Sequence, residues 1–137
     1  MDQLVTARQH CYKRGMKVLE VAFSCYAVTD LKRAREFYEG VLQLKPTSIF
    51  DKGEMGFIEY ELGPHTLAIG AGATIFKPGP DGGVVALEVE DFSEAISHLK
   101  NRNVKFVMEG YDGPVCHMAT ITDPDGNQIV IHKRKPK

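Results

Sequence analysis

The chain contains one sequence pattern twice, and this repeat restricts its fold more than any other feature. The first copy is VAFSCYAVTDLKRAREFYEGVLQLK, and the second is VVALEVEDFSEAISHLKNRNVKF. In each copy a β-rich run ends in Val-x-Asp, and a helical pattern follows the aspartate at Asp30 or Asp91. A repeat of this length predicts two duplicated supersecondary units rather than one continuous arrangement.

Two amphipathic helices are predicted, one in each copy. Asp30 and Asp91 are the predicted N-caps, because a carboxylate there accepts hydrogen bonds from the unpaired backbone N–H groups of the first turn. Apolar residues then recur at helical spacing on one face of each helix. His98 follows Glu94 by four residues, which predicts a pair on the solvent side of the second helix.

Short strands are predicted after each helix, so that each unit has the order βαβββ. The predicted strands are Thr47–Phe50, Gly56–Glu61 and Thr66–Ala71 in the first unit, and Val104–Glu109, His117–Thr122 and Gln128–Lys133 in the second. The Pro- and Gly-rich stretch 77–83 is a predicted linker. The predicted organisation is an N-terminal extension at 1–15, a first module at 16–76, and a second module with a basic tail at 84–137.

Composition excludes several functional classes. Hydrophobic residues make up 43% of the chain and charged residues 26%, which is typical of a globular protein. The formal net charge of −1 does not favour a nucleic-acid partner or an anionic membrane. No apolar run is long enough for a membrane span, and the N-terminus lacks the apolar core of a secretory signal. Three cysteines without a CxxC motif favour a reducing, cytoplasmic location over a disulfide framework.

Two stretches carry a resemblance to a known superfamily. AREFYEGVLQL resembles the helix-to-loop stretch of the vicinal oxygen chelate superfamily, and ITDPDGNQIVI resembles its closing hairpin. This superfamily includes glyoxalase I, extradiol dioxygenases and the bleomycin- and fosfomycin-resistance proteins. The resemblance implies an α+β fold in which two βαβββ modules form a curved mixed sheet, or cup, with the helices outside. Gln43 departs from the pattern, because the superfamily usually has glycine at this corner.

The resemblance also implies where a metal would be held. Metal-using members place one ligand on the first and fourth strands of each module, and the matching positions here are Phe23, Ala68, Val84 and Val130. A divalent cation needs N, O or S donors, which these side chains lack. We therefore expect no metal and no other cofactor, and no metal-dependent glyoxalase or dioxygenase activity. A site shifted along the strands would use Cys25, Glu88 and His132.

Three functions remain open from the sequence. The first is metal-free binding of a small hydrophobic or aromatic molecule in an apolar cup. The predicted ligand-binding residues are Phe23, Cys25, Ala27, Ala68, Val84, Ala86, Val130, His132 and Tyr111. The second is a lyase- or dioxygenase-type enzyme that uses the shifted metal site, or a metal-free acid–base residue chosen from Glu88, His132 and Cys25. The third is a non-catalytic interaction protein whose cup is plugged by Phe23. A homodimer is expected under all three, and the cup could form within one chain or by exchange of modules.

Overall fold

The protein is described by a computed structural model that covers residues 16–17, 19–72 and 77–137. The predicted N-terminal extension at 1–15 lies outside the described residues. The elements run in the order β1-α1-β2-β3-β4 and then β5-α2-β6-β7-β8. The first module comprises β1 (Ser24–Ala27), α1 (Leu31–Val41), β2 (Pro46–Asp51), β3 (Gly56–Leu62) and β4 (His65–Ala71). The second comprises β5 (Val85–Glu88), α2 (Phe92–Asn101), β6 (Phe106–Asp112), β7 (Cys116–Thr122) and β8 (Gln128–Arg134).

The strands form two four-stranded mixed sheets with the same topology. Their orders are β1-β4-β3-β2 and β5-β8-β7-β6. β1 runs parallel to β4, and β5 runs parallel to β8. The other neighbouring strands in each sheet are antiparallel. This arrangement confirms the predicted α+β fold of two βαβββ modules.

Both helices begin where the sequence predicts. Oδ1 of Asp30 accepts the Arg33 amide at 3.0 Å, and Oδ1 of Asp91 accepts the Glu94 amide at 3.0 Å. The first helix is α-helical from Leu31 to Arg35 and continues as a π-helix over Glu36–Val41. The wider π turn changes the direction in which the last side chains of the helix point, and such turns are often found beside functional sites.

The corner after α1 is left-handed despite the absence of glycine. Gln43 has a φ of 61°, and the Leu44 amide closes the corner on the Tyr38 carbonyl at 3.0 Å. Glycine adopts this conformation at little steric cost, whereas a residue with a Cβ is strained there. The corner that the sequence marks as unusual therefore keeps its geometry at some cost in stability.

One hydrophobic core joins the two modules. It contains residues from α1 and from the core-facing sides of both sheets, including Tyr38, Ile58, Ile69, Ile121 and Ile129, all of which are fully buried. The helices also meet, because Nε2 of His98 lies 2.8 Å from the Val41 carbonyl oxygen. His98 thus contacts α1 rather than forming the predicted solvent-side pair.

The inner edges of the two sheets are bridged by a side chain. Tyr26 on β1 accepts a hydrogen bond from the Val85 amide at 2.7 Å and donates one to the Gln128 carbonyl at 2.7 Å. One phenol hydroxyl therefore satisfies a backbone group on β5 and another on β8. Neither helix in the described part of the chain is long and apolar enough to cross a membrane.

Candidate functional site

Strand alternation separates the core face of each sheet from an inner face. On β1 and β4, Tyr26 and Ile69 are buried in the core, so Cys25 and Ala68 lie on the opposite face, where they are paired. Successive side chains of a strand point to opposite faces. In the second module Ala86 pairs with Val130 and Glu88 pairs with His132 on the corresponding face.

A first cavity of about 690 Å³ opens on the inner face of the first module. Its walls are mostly apolar and include Phe23, Cys25, Ala27, Phe57, Gly70 and Val84. The rings of Phe23 and Phe57 contact edge to face, with centroids 5.4 Å apart at 81°. Residues of the linker, including Gly79 and Gly83, form another wall. The volume lies within the range of small-molecule pockets.

Asn127 supplies the polar end of this cavity. Its Nδ2 donates to the Ala27 carbonyl at 2.8 Å, and its Oδ1 accepts the Gly79 amide at 3.0 Å. The side chain therefore ties the linker to the end of β1. Asn127, a residue of the second module, therefore fixes two walls of a cavity that lies mainly on the first module.

The DPDGN corner is a junction between the modules. Oδ1 of Asp123 accepts the amides of Asp125 and Asn127, each at 2.9 Å, and its Oδ2 accepts the Tyr38 hydroxyl at 2.9 Å. Asp125 bonds Thr29 and forms a 2.9 Å ion pair with Arg33. The corner thus positions the cavity wall through hydrogen bonds, and its carboxylates are already occupied by protein donors.

A second cavity, of about 770 Å³, lies where the start of β1 approaches the end of β5. Leucine and valine side chains line it together with Ser24, His65, Thr66, Ala86, Glu88 and Arg134. It is more polar than the first cavity because of the hydroxyls and the two charged groups. Its residues come from both modules.

Glu88 and His132 form a close pair on the inner face of the second module. Nδ1 of His132 lies 2.6 Å from Oε1 of Glu88, and the Arg134 amide donates to Oε2 at 2.8 Å. The hydrogen bond from the Arg134 amide has the largest effect on the pKa of Glu88, and the bond with His132 has the second largest. Both lower the pKa of Glu88 below its ordinary value. Both bonds favour the charged form of the carboxyl, so Glu88 is ionised at neutral pH.

Cys25 is an exposed thiol on the wall of the first cavity. Although solvent reaches it, the desolvation of the thiol by the surrounding wall raises its pKa. The thiolate is the nucleophilic form of cysteine, and a raised pKa reduces its population at neutral pH. This environment does not activate Cys25 as a nucleophile.

The predicted ligand-binding residues are distributed over different surfaces. Phe23, Cys25, Ala27 and Val84 line the first cavity, and Ala86 lines the second. Ala68 is fully buried on β4, Val130 and His132 lie on the inner face of β8, and Tyr111 is 48% exposed at the end of β6. Sequence reasoning did not select Phe57 or Asn127. Strand alternation on β3 could have indicated Phe57, whereas the role of Asn127 depends on contacts with Ala27 and Gly79 that are distant in sequence.

The donor chemistry does not fit a metal at the positions that the resemblance implies. Phe23, Ala68, Val84 and Val130 offer no N, O or S side-chain atom. The structure brings Glu88 and His132 of the shifted set together, but no group of three or more His, Cys, Asp or Glu side chains within the described residues could hold a metal ion. Cys25 therefore does not complete a site with the other two.

Comparison with known proteins gives a family match and many similar folds. Residues 15–131 match the family model of the Glyoxalase/Bleomycin resistance protein/Dioxygenase superfamily, whereas no curated protein matches.

Three solved structures illustrate the likeness. TnmS3, an antibiotic binding protein from Streptomyces sp. CB03234, is 20% identical with a TM-score of 0.74, and the match covers 88% of this chain and 100% of that one. A member of the glyoxalase/bleomycin resistance protein/dioxygenase superfamily from Sphaerobacter thermophilus DSM 20745 is 23% identical with a TM-score of 0.68, covering 85% and 98%. A glyoxalase-related enzyme from Fulvimarina pelagi is 19% identical with a TM-score of 0.65, covering 85% and 88%. At these identities the likeness shows a shared fold.

Proposed function

Because the chain belongs to the Glyoxalase/Bleomycin resistance protein/Dioxygenase superfamily, whose fold supports several chemistries, we propose that its function follows from its own cavity. The protein binds a small hydrophobic or aromatic molecule in the first cavity without using a metal. The observation that carries this proposal is an open volume of about 690 Å³ whose walls include two aromatic rings and several alkyl groups.

The chemistry of the walls favours binding through buried apolar area. Burying about 200 Å² of apolar ligand surface contributes roughly 5 kcal/mol before the costs of association. Asn127 holds the linker against one end of the cavity through its bond with the Gly79 amide, which keeps that wall in place. TnmS3, a fold relative, is described as an antibiotic binding protein, and a binding role of that kind is consistent with this cavity.

The side chains at the metal positions support the metal-free part of the proposal. An ion placed among Phe23, Ala68, Val84 and Val130 would lose its hydration without gaining a donor. Phe23 lies on the wall of an open cavity rather than filling it, which favours ligand binding over a plugged, purely structural cup. The odd number of cysteines supports a reducing, cytoplasmic location.

A homodimer is part of the proposal. Apolar side chains are exposed on the outer strands and turns of both sheets, among them Ile49 and Phe50 on β2 and Val107 on β6, each close to half exposed. Exposed apolar groups that cluster on edge strands favour association. The second copy would cover these strands, and native mass spectrometry of the purified protein would report the dimer and any retained ligand together.

Gly70→Val tests the cavity directly. A Cβ at Gly70 would lie 3.4 Å from the Phe57 ring and 3.5 Å from Sγ of Cys25, so a valine would occupy the first cavity. Gly110→Val is the matched control, since a Cβ there meets nothing within 4 Å. The probe is the hydrophobic dye 1-anilinonaphthalene-8-sulfonate, followed by fluorescence titration.

We expect the wild type and Gly110→Val to bind the dye with similar affinity, and Gly70→Val to bind it at least about tenfold more weakly. The dye should also slow alkylation of Cys25, measured by peptide mass mapping, because the thiol lines the same cavity. Dye binding that is equal in all three proteins, with no protection of Cys25, would contradict the proposal.

A further inference from the structure

One charged side chain, that of Lys77, belongs to the wall of the first cavity. Lys77 lies on the linker, and among the described residues that line the cavity it is the only one with a charge. Its ammonium group forms no ion pair with a carboxylate in the described part of the chain. Asp81, the acidic residue of the linker, does not line the cavity. The charge of Lys77 is therefore available to a ligand.

The neutral polar side chains of the wall do not offset this charge. Nδ2 of Asn127 donates to a backbone carbonyl and to Oδ2 of Asp123, each at 2.8 Å, and its Oδ1 accepts a linker amide. The Tyr26 hydroxyl donates one backbone hydrogen bond and accepts another, each at 2.7 Å. Ser24 adds a neutral hydroxyl, and the desolvation that raises the pKa of Cys25 keeps its thiol neutral. The wall thus offers a ligand a single charge, which is positive.

The linker is held so that Lys77 lies at the open side of the cavity. Asn127 bonds the amide of Gly79, two residues further along the chain, and Gly79 also belongs to the wall. Lys77 itself is exposed. A lysine can lay its alkyl stem along an apolar surface while its ammonium group stays in water. The charge therefore lies at the solvent side of a volume whose walls include Phe23 and Phe57.

We propose that the first cavity prefers organic anions, which are molecules with an aromatic or aliphatic body and a carboxylate or sulfonate group that pairs with Lys77. This inference rests on the proposed binding of a small hydrophobic or aromatic molecule and specifies its charge. Solvent and salt screen a cation that is exposed, so the pair contributes modestly to affinity. Buried apolar area supplies most of the binding free energy, and the charge sets the preference among ligands of similar shape.

The test compares two dyes that share the same ring systems. 1-Anilinonaphthalene-8-sulfonate carries a negative charge, and N-phenyl-1-naphthylamine lacks the sulfonate and is neutral. Three proteins are titrated by fluorescence: the wild type, Lys77→Gln and Lys100→Gln. Glutamine removes the charge of Lys77 and keeps part of its stem. Lys100 lies on α2 and does not line the first cavity, so Lys100→Gln controls for the general loss of one positive charge.

We expect Lys77→Gln to bind the sulfonate dye about fivefold more weakly than the wild type, because the ligand loses its ion pair. Its affinity for the neutral dye should stay within about twofold of the wild type, since the apolar walls are unchanged. Lys100→Gln should bind both dyes as the wild type does. Binding of the neutral dye shows that each variant is folded and that its cavity is open.

Three results would overturn the inference while the proposed binding function stands. Lys77→Gln could keep its full affinity for the sulfonate dye, it could lose both dyes equally, or Lys100→Gln could lose as much sulfonate affinity as Lys77→Gln. The first result would mean that the charge is not used, the second that only the stem of Lys77 contributes, and the third that the effect is one of net charge. If the wild type binds neither dye, both the preference for anions and the proposed function are wrong.

Discussion

The Tyr38 hydroxyl donates a 2.9 Å hydrogen bond to Oδ2 of Asp123, and this buried contact links the π turn of α1 to the corner of the second module. Tyr38 is fully buried and Asp123 is 4% exposed. The same carboxylate accepts the amides of Asp125 and Asn127. A single buried anion therefore connects the first helix to the hairpin that carries Asn127, a wall residue of the first cavity.

Tyr38→Phe should destabilise the protein by about 1–3 kcal/mol, because the buried Asp123 carboxylate loses one of its donors. The change removes only the hydroxyl, so the packing of the ring is preserved. Urea unfolding measures the free energy, and the slope of the transition should stay unchanged. Phe37→Leu is the comparison variant, because it changes only apolar packing and removes no hydrogen bond. A Tyr38→Phe protein as stable as the wild type would show that the hydroxyl does not stabilise the junction.

Alkaline pH should weaken the fold through the same tyrosine. Burial, followed by the charge of Asp123, raises the pKa of Tyr38 far above its ordinary value. A group with a raised folded-state pKa contributes stability that is complete below the unfolded pKa, near about 10, and that is lost as pH rises above it. The urea midpoint of the wild type should therefore fall between about pH 9 and about pH 11. Tyr38→Phe should lose less over the same interval, and an equal loss in both proteins would assign the effect to other groups.

Gln43→Gly should stabilise the protein by up to about 1 kcal/mol, because Gln43 has a φ of 61° and glycine adopts this conformation without strain. The gain is limited by the greater freedom of glycine in the unfolded chain. Asn103, with a φ of 58°, provides the control. Asparagine tolerates the left-handed region better than glutamine, so Asn103→Gly should give the smaller increase in thermal midpoint.

Gly56→Ala should be strongly destabilising, by about 1–3 kcal/mol, since the new methyl group would overlap its surroundings. A Cβ at Gly56 would lie 2.5 Å from the Leu31 side chain and 2.6 Å from the Phe50 carbonyl oxygen. Gly110→Ala is the matched control on β6, where a Cβ meets nothing within 4 Å. Thermal unfolding of both variants would measure the difference, and similar midpoints would mean that both the Leu31 side chain and the Phe50 carbonyl can move away from the new methyl group at little cost.

Acid pH should remove the contribution that Glu88 makes to the stability of the fold. Its pKa is lowered, so the stability it contributes is present above the ordinary glutamate range and is lost as pH falls through the folded-state pKa. At neutral pH the wild type should therefore be more stable than Glu88→Gln. The difference should shrink as pH falls below about 4.3, the ordinary glutamate value. Denaturant midpoints of the two proteins across this range test the sign, and a difference that grows in acid would contradict it.

Much of the fold could be predicted because its signals are local. Helix caps at Asp30 and Asp91, and period-two alternation in the strands, depend on residues close in sequence, and the observed elements agree with them. The left-handed corner at Gln43 was also marked by the sequence, because the resemblance indicates a glycine there. The face on which Cys25 and Glu88 lie follows from strand alternation in the same way.

The sequence alone determined the two βαβββ modules and the faces of their strands, since capping and alternation act between neighbouring residues. Only the tertiary structure decided how the inner residues are shared between two cavities. It also decided that Asp123 joins Tyr38, that Asn127 holds the linker, and that Glu88 meets His132. These contacts depend on how two sheets pack on one core, and the free energy of that packing is set by residues that are distant in the chain.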